Sequence, residues 1–338
     1  MAGATPRVSV VIAAHDAAAD LPRAVSSALA QSIGDLEVIV VDDASADGTP
    51  AVAGQLAAGD RRVVLARAAQ NLGPAGARNL GLDLARGAWI AVLDSDDAFQ
   101  PHRLERLLRI AEEAEADMAA DNLLLHDPSA GPDLPVMLTP DLLDRPCWVD
   151  AAPFLLGNLP VPDHPRVSYG FLKPIFRRSF LDAKGIRYDP KLRFAEDFEL
   201  YLRCLMQGAS FRLIPDAGYI YTIRPGSLTD HHTARDLLAL RMVDRRLLRR
   251  AGRAADDAVA DALRRHLRSI DQRVVWRLFT DAIKAGRWRR ARRTALLSPY
   301  AALLVASGLA RLATKLARRI AGARGGPSRL LPATGQIK

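Results

Sequence analysis

Residues 87–97 read GAWIAVLDSDD. Trp89 to Leu93 is an apolar run with the composition of a buried strand, and it stops abruptly at Asp94. Runs of the same kind stand upstream. Val8–Ala13 (VSVVIA) and Leu36–Val41 (LEVIVV) are short and β-branched, the second ending in Asp42 and Asp43, and Val63–Ala66 is a third. Between them the apolar residues take helical spacing. Helices are expected over Leu21–Gln31, after an N-cap at Ser45 or Asp47, over Pro74–Arg86 with Gly87 as C-cap, and over Pro101–Ala116. Strands alternating with helices predict an α/β fold on a doubly wound, mostly parallel sheet. Such sheets bind ligands at the carboxyl ends of their strands, where Asp43 and Asp94–Asp97 fall.

Farther along, residues 126–170 are rich in proline and glycine and read as an irregular connection. Regular signals resume with a helix at Phe198–Met206, short strands at Phe211–Ile214 and Tyr219–Ile223, and a helical region from Thr233 to about Gly322. The 338 residues carry a net charge of +9, but unevenly. Residues 1–240 hold 23 Lys or Arg against 32 Asp or Glu, while residues 241–338 hold 24 against 6. An acidic body is therefore followed by a strongly basic region, as expected of a segment that meets something anionic. Two cysteines, Cys147 and Cys204, exclude a disulfide framework and a four-thiolate zinc site. They fit a reducing compartment and are expected to be buried apolar packers. No secretory leader is expected at the N-terminus. The longest uncharged run, Thr294–Ala310, has 17 residues with Pro299 and Gly308 inside it, so no membrane-spanning helix is expected.

Asp94, Asp96 and Asp97 place three carboxylates within four residues. Like charges this close repel, and a hard divalent cation, Mg²⁺ or Mn²⁺, would compensate them. A polar turn in which Asp caps the next helix is the plainer reading of that segment alone. Asn71–Asn79 (NLGPAGARN) is a glycine-bearing turn entering a helix with Arg78 in its first turns, a combination that binds phosphate. Glu196 and Asp197 form a distant acidic pair ahead of another helix. Together these suggest a nucleotide–metal site with a separate base.

The ordered segments VSVVIAAHD (8–16), EVIVVDDASADGT (37–49), NLGPAGARNLGL (71–82), GAWIAVLDSDD (87–97), FAEDFELYLRCL (194–205) and YTIRPGSLT (221–229) resemble family 2 glycosyltransferases of the GT-A fold. AADNLLLHD (119–127) and YGFLKPIFRRSFL (169–181) look most like bacterial exopolysaccharide transferases of the succinoglycan type. The resemblance implies a Rossmann-like donor-binding half over residues 1–125, an acceptor and base half over 126–232, and a basic helical appendage over 233–338. It implies that Ala13 and Asp43 line the uracil pocket, and that Ala14, His15, Arg78, Asp94, Ser95 and Asp96 also bind the donor. It implies that Asp96 and Asp97 hold Mg²⁺ or Mn²⁺, Asp97 closest, and that Asp197 is the general base beside Glu196. His15-Asp16 stands where the family often has Tyr-Asn. The Gln-x-x-Arg-Trp signature of processive synthases is absent: Gln272–Trp276 reads QRVVW.

The implied reaction is inverting transfer of one hexose, glucose from UDP-glucose, to a lipid-linked exopolysaccharide intermediate. The implied location is the inner face of a bacterial plasma membrane. A sugar nucleotidyltransferase would need a lysine-bearing, glycine-rich loop after the first strand, which AAHDAAADLP lacks. A non-catalytic saccharide- or membrane-binding subunit is the alternative of another class. Glu196 is expected to cap or orient before contacting acceptor, and Asp42 to serve its loop; Lys173 and Arg177 could contact phosphate or acceptor, but solvation is the plainer reading. His231-His232 reads as a surface turn before a metal contact, and Trp276 and Trp288 as packing or interfacial residues. The basic appendage suits an anionic membrane surface or an intramolecular cap. Nucleic acid is disfavoured because no recognisable module accompanies the charge.

Overall fold

The computed structural model describes residues 5–131, 133–159, 167–224, 233–254, 256–296, 302–303, 305–310 and 314. They divide into two units, Met1–Ser227 and Leu228–Lys338.

In the first unit the apolar runs form parallel strands β1 (Val8–Ala14), β2 (Leu36–Asp42), β3 (Val63–Arg67) and β4 (Trp89–Val92), side by side in the order β3-β2-β1-β4. Every residue of β2 is buried, as its run of branched residues requires of a strand covered on both faces. Helices α1 (Leu21–Leu29), α2 (Thr49–Gly59) and α3 (Gly73–Leu84) connect these strands, and α4 (Arg103–Glu113) follows them. This is the expected doubly wound GT-A-like arrangement.

Two local expectations are corrected. The N-cap of α2 is Gly48, and Asp47 instead accepts the Thr49 N–H at 2.9 Å. Helix α3 stops at Leu84 with Ala85 as C-cap, so Gly87 is not its cap. Gly87 is needed for a close approach: a Cβ there would lie 2.5 Å from the Ser9 nitrogen.

The second half of the sheet is mixed. A two-residue strand β5 (Ala98–Phe99) follows the acidic turn, and β6 (Met118–His126) is a nine-residue strand in what read only as a motif. Its polar residues conceal it. Asp121 and Asn122 sit mid-strand, both buried: Asp121 pairs with Arg103, and the Asn122 side chain bonds the Leu138 N–H and C=O. The 126–170 segment is less irregular than its composition suggests, holding β7 (Cys147–Trp148) and α5 (Ala151–Gly157). After β8 (Ile175–Arg177), α6 (Arg178–Ala183) and α7 (Glu196–Leu205), the two expected short strands are one, β9 (Phe211–Thr222). Pro215 sits where the pairing of β9 with β6 slips, because Asp121 faces Ile214 but Asn122 faces Ala217. A bulge tolerates the missing proline donor without ending the strand. The full order is β3-β2-β1-β4-β8-β6-β9-β5, with β8 antiparallel to β4 and β6, and β7 antiparallel to β9. Cys204 is buried on α7 as expected, and burial pushes its thiol up to about 12. Cys147, on β7, is only partly buried.

The second unit is helical: α8 (Ala234–Arg253), α9 (Asp257–Lys284) and α10 (Trp288–Ala295). Thr233 and Asp236 form a reciprocal capping box that starts α8. The α8–α9 pair is apolar at its seam, with a buried Asp244–His266 contact at 2.8 Å. Trp276 stacks on Phe279. Among the described residues no helix is long and apolar enough to cross a membrane.

Candidate active site

The residues singled out by their spacing gather at the carboxyl ends of β1, β2 and β4. Two groups result. In the first, the Asp43 N–H donates to the Ala14 carbonyl at 2.8 Å, and His15 Nδ1 lies 2.9 Å from the Asp43 carbonyl. Asp43 Oδ1 accepts the Leu72 N–H at 2.7 Å, which ties the turn before α3 to the end of β2. Asp16 adopts φ 48° and Ala44 φ 55°, left-handed conformations in loops that Asp16 Oδ1 joins by accepting the Ala46 and Asp47 N–H groups. Backbone strain of this kind costs about 1–3 kcal/mol per residue and concentrates at sites. Asp42 accepts the Ser45 N–H and serves its loop, as expected.

The second group is a chain of charges. Arg78 Nη2 donates to Asp94 Oδ1 at 2.7 Å and Nη1 to Glu196 Oε1 at 2.7 Å, with Asp197 Oδ1 at 3.4 Å. Lys173 Nζ completes the circuit, 2.8 Å from Asp94 Oδ2 and 2.7 Å from Asp197 Oδ2. Arg78 reaches this position because α3 lies close on β1: a Cβ at Gly81 would fall 2.3 Å from Val11 Cγ1. Glu196 and Asp197 open α7 behind Ala195, whose φ of 59° turns the chain into the site.

Three carboxylates face two cations here. Burial opposes the charge on Asp94, but Lys173 and Arg78 hold its carboxyl well below the usual range. Burial raises Glu196; Arg78 opposes that rise and Asp197 adds to it. Burial also opposes the Lys173 charge, yet Asp197 and Asp94 outweigh it and hold the ammonium well above the usual lysine range. Arg78 Nε, Asp197 Oδ1 and the Tyr188 hydroxyl are buried without a hydrogen-bond partner among the described residues.

Asp96 and Asp97 diverge although adjacent. Asp97 is 2% exposed, and both its oxygens are engaged: Oδ2 by the Tyr219 hydroxyl at 2.7 Å, Oδ1 by the Thr222 N–H at 2.7 Å. Burial, then Asp94 and Asp96, push its carboxyl up to about 8. The Asp96 side chain keeps 37% exposure, with Arg224 Nε at 3.5 Å, while Arg23 donates to its backbone carbonyl. Among the described residues no three His, Cys, Asp or Glu side chains converge as a ready metal cage. His231 and His232, and the part of YTIRPGSLT beyond Arg224, lie outside the described residues.

The sequence model of glycosyl transferase family 2 matches residues 9–180, the stretch that carries β1 to β8 and both ends of the Asp94–Lys173 contact. The chain belongs to this family. It is 37% identical to the succinoglycan biosynthesis protein ExoO of Rhizobium meliloti over 314 residues, which are 92% of this chain and 88% of that protein. The fold is also that of Staphylococcus aureus TarS 1-349, solved with UDP-GlcNAc, at TM-score 0.62 and 18% identity, covering 85% of this chain and 90% of that one. The mannosyltransferase PcManGT of Pyrobaculum calidifontis, solved with GDP-Man and Mn²⁺, matches at TM-score 0.52 and 20% identity over 90% of this chain and 80% of that one.

In this family 2 glycosyltransferase the sequence undervalued several residues. Lys173, expected to be solvated, has a side chain only 6% exposed. Its signal was a lone cation inside the apolar string FLKPIF. Arg103 and Asp121 form a fully buried pair at 2.7 Å, with Arg103 lying over the Phe99 and Tyr219 rings. Arg177 is structural: it lies over Trp89 and donates to the Ala116 carbonyl.

Proposed function

We propose that this glycosyltransferase is inverting and uses a divalent cation to move one hexose from a UDP-sugar, glucose from UDP-glucose, onto a lipid-linked exopolysaccharide intermediate. The observation that carries the reading is the meeting of Asp94, at the end of β4, with Asp197, at the start of α7, across Arg78 and Lys173. Donor-side and base-side carboxylates thus share one buried cluster. The UDP-GlcNAc of TarS and the GDP-Man and Mn²⁺ of PcManGT support a nucleotide-sugar donor and a divalent cation. The relative ExoO supports the exopolysaccharide acceptor.

On this reading His15 and Asp43 flank the base, with Ala13 and Ala14 beneath it. Asp94, Ser95 and Asp96 follow the ribose and sugar, and Arg78 faces the diphosphate. The residues fit Mg²⁺ or Mn²⁺ bound by one carboxylate plus substrate phosphates, the usual manner for such ions. Asp96 keeps an open face and would hold it, whereas Asp97 has both oxygens committed to the sheet. Once bound, the ion supplies Lewis-acid stabilisation of the leaving diphosphate.

Asp197 Oδ1 takes the acceptor hydroxyl proton as the hydroxyl oxygen, not the carboxylate, bonds the anomeric carbon. The bond from that carbon to the diphosphate breaks, and UDP leaves with the electron pair. One base on the face opposite the leaving group gives inversion, and a diphosphate needs no protonating acid, unlike the two-carboxylate arrangement of glycoside hydrolases. General-base assistance is worth ~10²–10⁴-fold. UDP release from UDP-glucose, measured with Mn²⁺ and a lipid extract as acceptor, should fall by that factor in Asp197→Asn. Equal turnover by the variant would remove the base from the scheme.

The basic second unit is read as a contact with an anionic membrane that carries the acceptor. From residue 282 to 338 there is no Asp or Glu, against 13 Lys or Arg. On α10, Arg289, Arg290, Arg292 and Arg293 are exposed, Trp288 is 67% exposed and Leu296 beyond it 64%. Apolar anchors set among cations suit the lipid headgroup boundary.

A further inference from the structure

We infer that Lys173 is a positioning residue for the catalytic base: it claims Oδ2 of Asp197 and so leaves Oδ1 as the atom that accepts the hydroxyl proton. The inference rests on reading Asp197 as the base and adds how that base is aimed.

The geometry is asymmetric in the way such a role requires. Lys173 Nζ donates to Asp197 Oδ2 at 2.7 Å. Asp197 Oδ1, in contrast, is buried and accepts no hydrogen bond among the described residues. Arg78 Nη1 lies 3.4 Å from Oδ1 but donates to Glu196 Oε1 at 2.7 Å. A carboxylate is symmetric, and rotation about its terminal torsion would present either oxygen. An ammonium fixed on one oxygen removes that freedom. An orphaned buried acceptor carries a desolvation cost of about 1–3 kcal/mol, which a donor arriving from substrate relieves.

The ammonium is itself held from behind. Lys173 stands just before β8, between buried Leu172 and Ile175. Its backbone carbonyl accepts from Arg103 Nη2 at 2.5 Å, and that guanidinium is locked on Asp121. The buried Arg103–Asp121 pair therefore anchors the main chain from which Nζ reaches into the site. Lysine suits the task because its three donors radiate from one point and can serve two carboxylates. Nζ indeed bridges Asp197 to Asp94, so the base is tied to the donor side of the site.

The charged and titratable groups around Asp197 are Lys173 from the β8 approach, Arg78 from α3, Asp94 from the end of β4, and Glu196 on α7 itself. Tyr188, preceding α7, and Tyr201, on it, also sense the Asp197 charge. Among the described residues Lys173 is the cation in direct hydrogen bond with Asp197, so its removal should disfavour the ionised base.

The test is the pH dependence of kcat/KM for UDP-glucose in the full chain with Mn²⁺ and lipid acceptor, for wild type, Lys173→Met, Lys173→Gln, Lys173→Arg and Asp197→Asn. Loss of the ammonium should lower kcat/KM at pH 7 at least tenfold and move the acid limb of the profile up by about one pH unit, the lower end of a direct opposite-charge effect. Lys173→Arg should keep the acid limb near its wild-type position. If Lys173→Met does not fold, Lys173→Gln supplies the same neutral comparison. Profiles of the neutral variants that superimpose on wild type after uniform scaling would overturn the inference. Full activity in Asp197→Asn would overturn the underlying reading instead, so the two failures are separable.

Discussion

The Tyr219 hydroxyl donates to Asp97 Oδ2 at 2.7 Å and accepts the Asp94 N–H at 3.1 Å. One residue of β9 thereby sets the shape of the acidic turn after β4. Tyr219→Phe should destabilise the protein by about 1–2 kcal/mol in urea unfolding, because two buried polar groups lose their partner. Asp97→Ala should cost more, about 2–3 kcal/mol, since it strands both the tyrosine hydroxyl and the Thr222 N–H. Asp96→Ala, on the exposed side of the turn, should stay within about 0.5 kcal/mol of wild type. It should nevertheless lose metal-stimulated turnover.

Ligand linkage gives a second test of the same pair. UDP with Mn²⁺ at a hundredfold excess over Kd should stabilise the wild type by about 2.7 kcal/mol. A chelator should remove most of that gain in a thermal shift assay. Asp96→Ala should show the chelated response with or without added metal.

Distance from the site separates another effect. On β2 the buried Glu37 accepts from the Ser9 hydroxyl at 2.6 Å, the Arg86 N–H at 2.8 Å and the Arg86 guanidinium at 2.6 Å. Burial opposes its charge, but these donors outweigh burial and lower its pKa from the usual 4.5. A depressed carboxyl stabilises the fold above its unfolded value and loses that contribution as pH falls through the folded one. Glu37→Gln should therefore cost about 2 kcal/mol at pH 7. The gap to wild type should close as pH drops below about 4. A gap that stays constant down to pH 3 would show that the loss is steric.

Packing at α3 links stability to the Arg78–Asp94 contact. A Cβ on Gly81 would meet Val11 Cγ1 at 2.3 Å, and α3 carries Arg78. Gly81→Ala should cost about 1–3 kcal/mol by overpacking. It should also lower kcat by shifting Arg78 away from Asp94. Adding Val11→Ala should recover part of both losses, since the two sites are in contact.

For the second unit, sedimentation with phosphatidylglycerol vesicles but not phosphatidylcholine vesicles is expected. Arg289→Glu, Arg290→Glu and Arg293→Glu combined should abolish it, at about 1 kcal/mol for each cation lost. Binding to both vesicle types alike, or to neither, would leave α10 without its assigned surface.

Much of this was legible along the chain. The parallel half of the sheet announced itself, because strands buried on both faces must be continuous apolar runs, as in β2. The acidic ends of β2 and β4 stood out because charge ending such a run has no ordinary packing role. Strand β6 was hidden by Asp121 and Asn122, whose buried partners Arg103 and Leu138 are separated from them by 18 and 16 residues. Strand β9 was split by Pro215, which a bulge accommodates.

By itself, then, the sequence determined the strand–helix alternation, the family and a set of candidate carboxylates, since these depend on local pattern and spacing. Only the tertiary structure decided where those carboxylates point and what they touch. Asp96 and Asp97 are neighbours with the same side chain, yet one faces outward and the other is bonded into β9. Lys173 looked like any surface cation until the fold brought Asp94 and Asp197 to either side of its ammonium. Burial and long-range pairing set the partners and direction of these groups, and neither is encoded within a few residues of them.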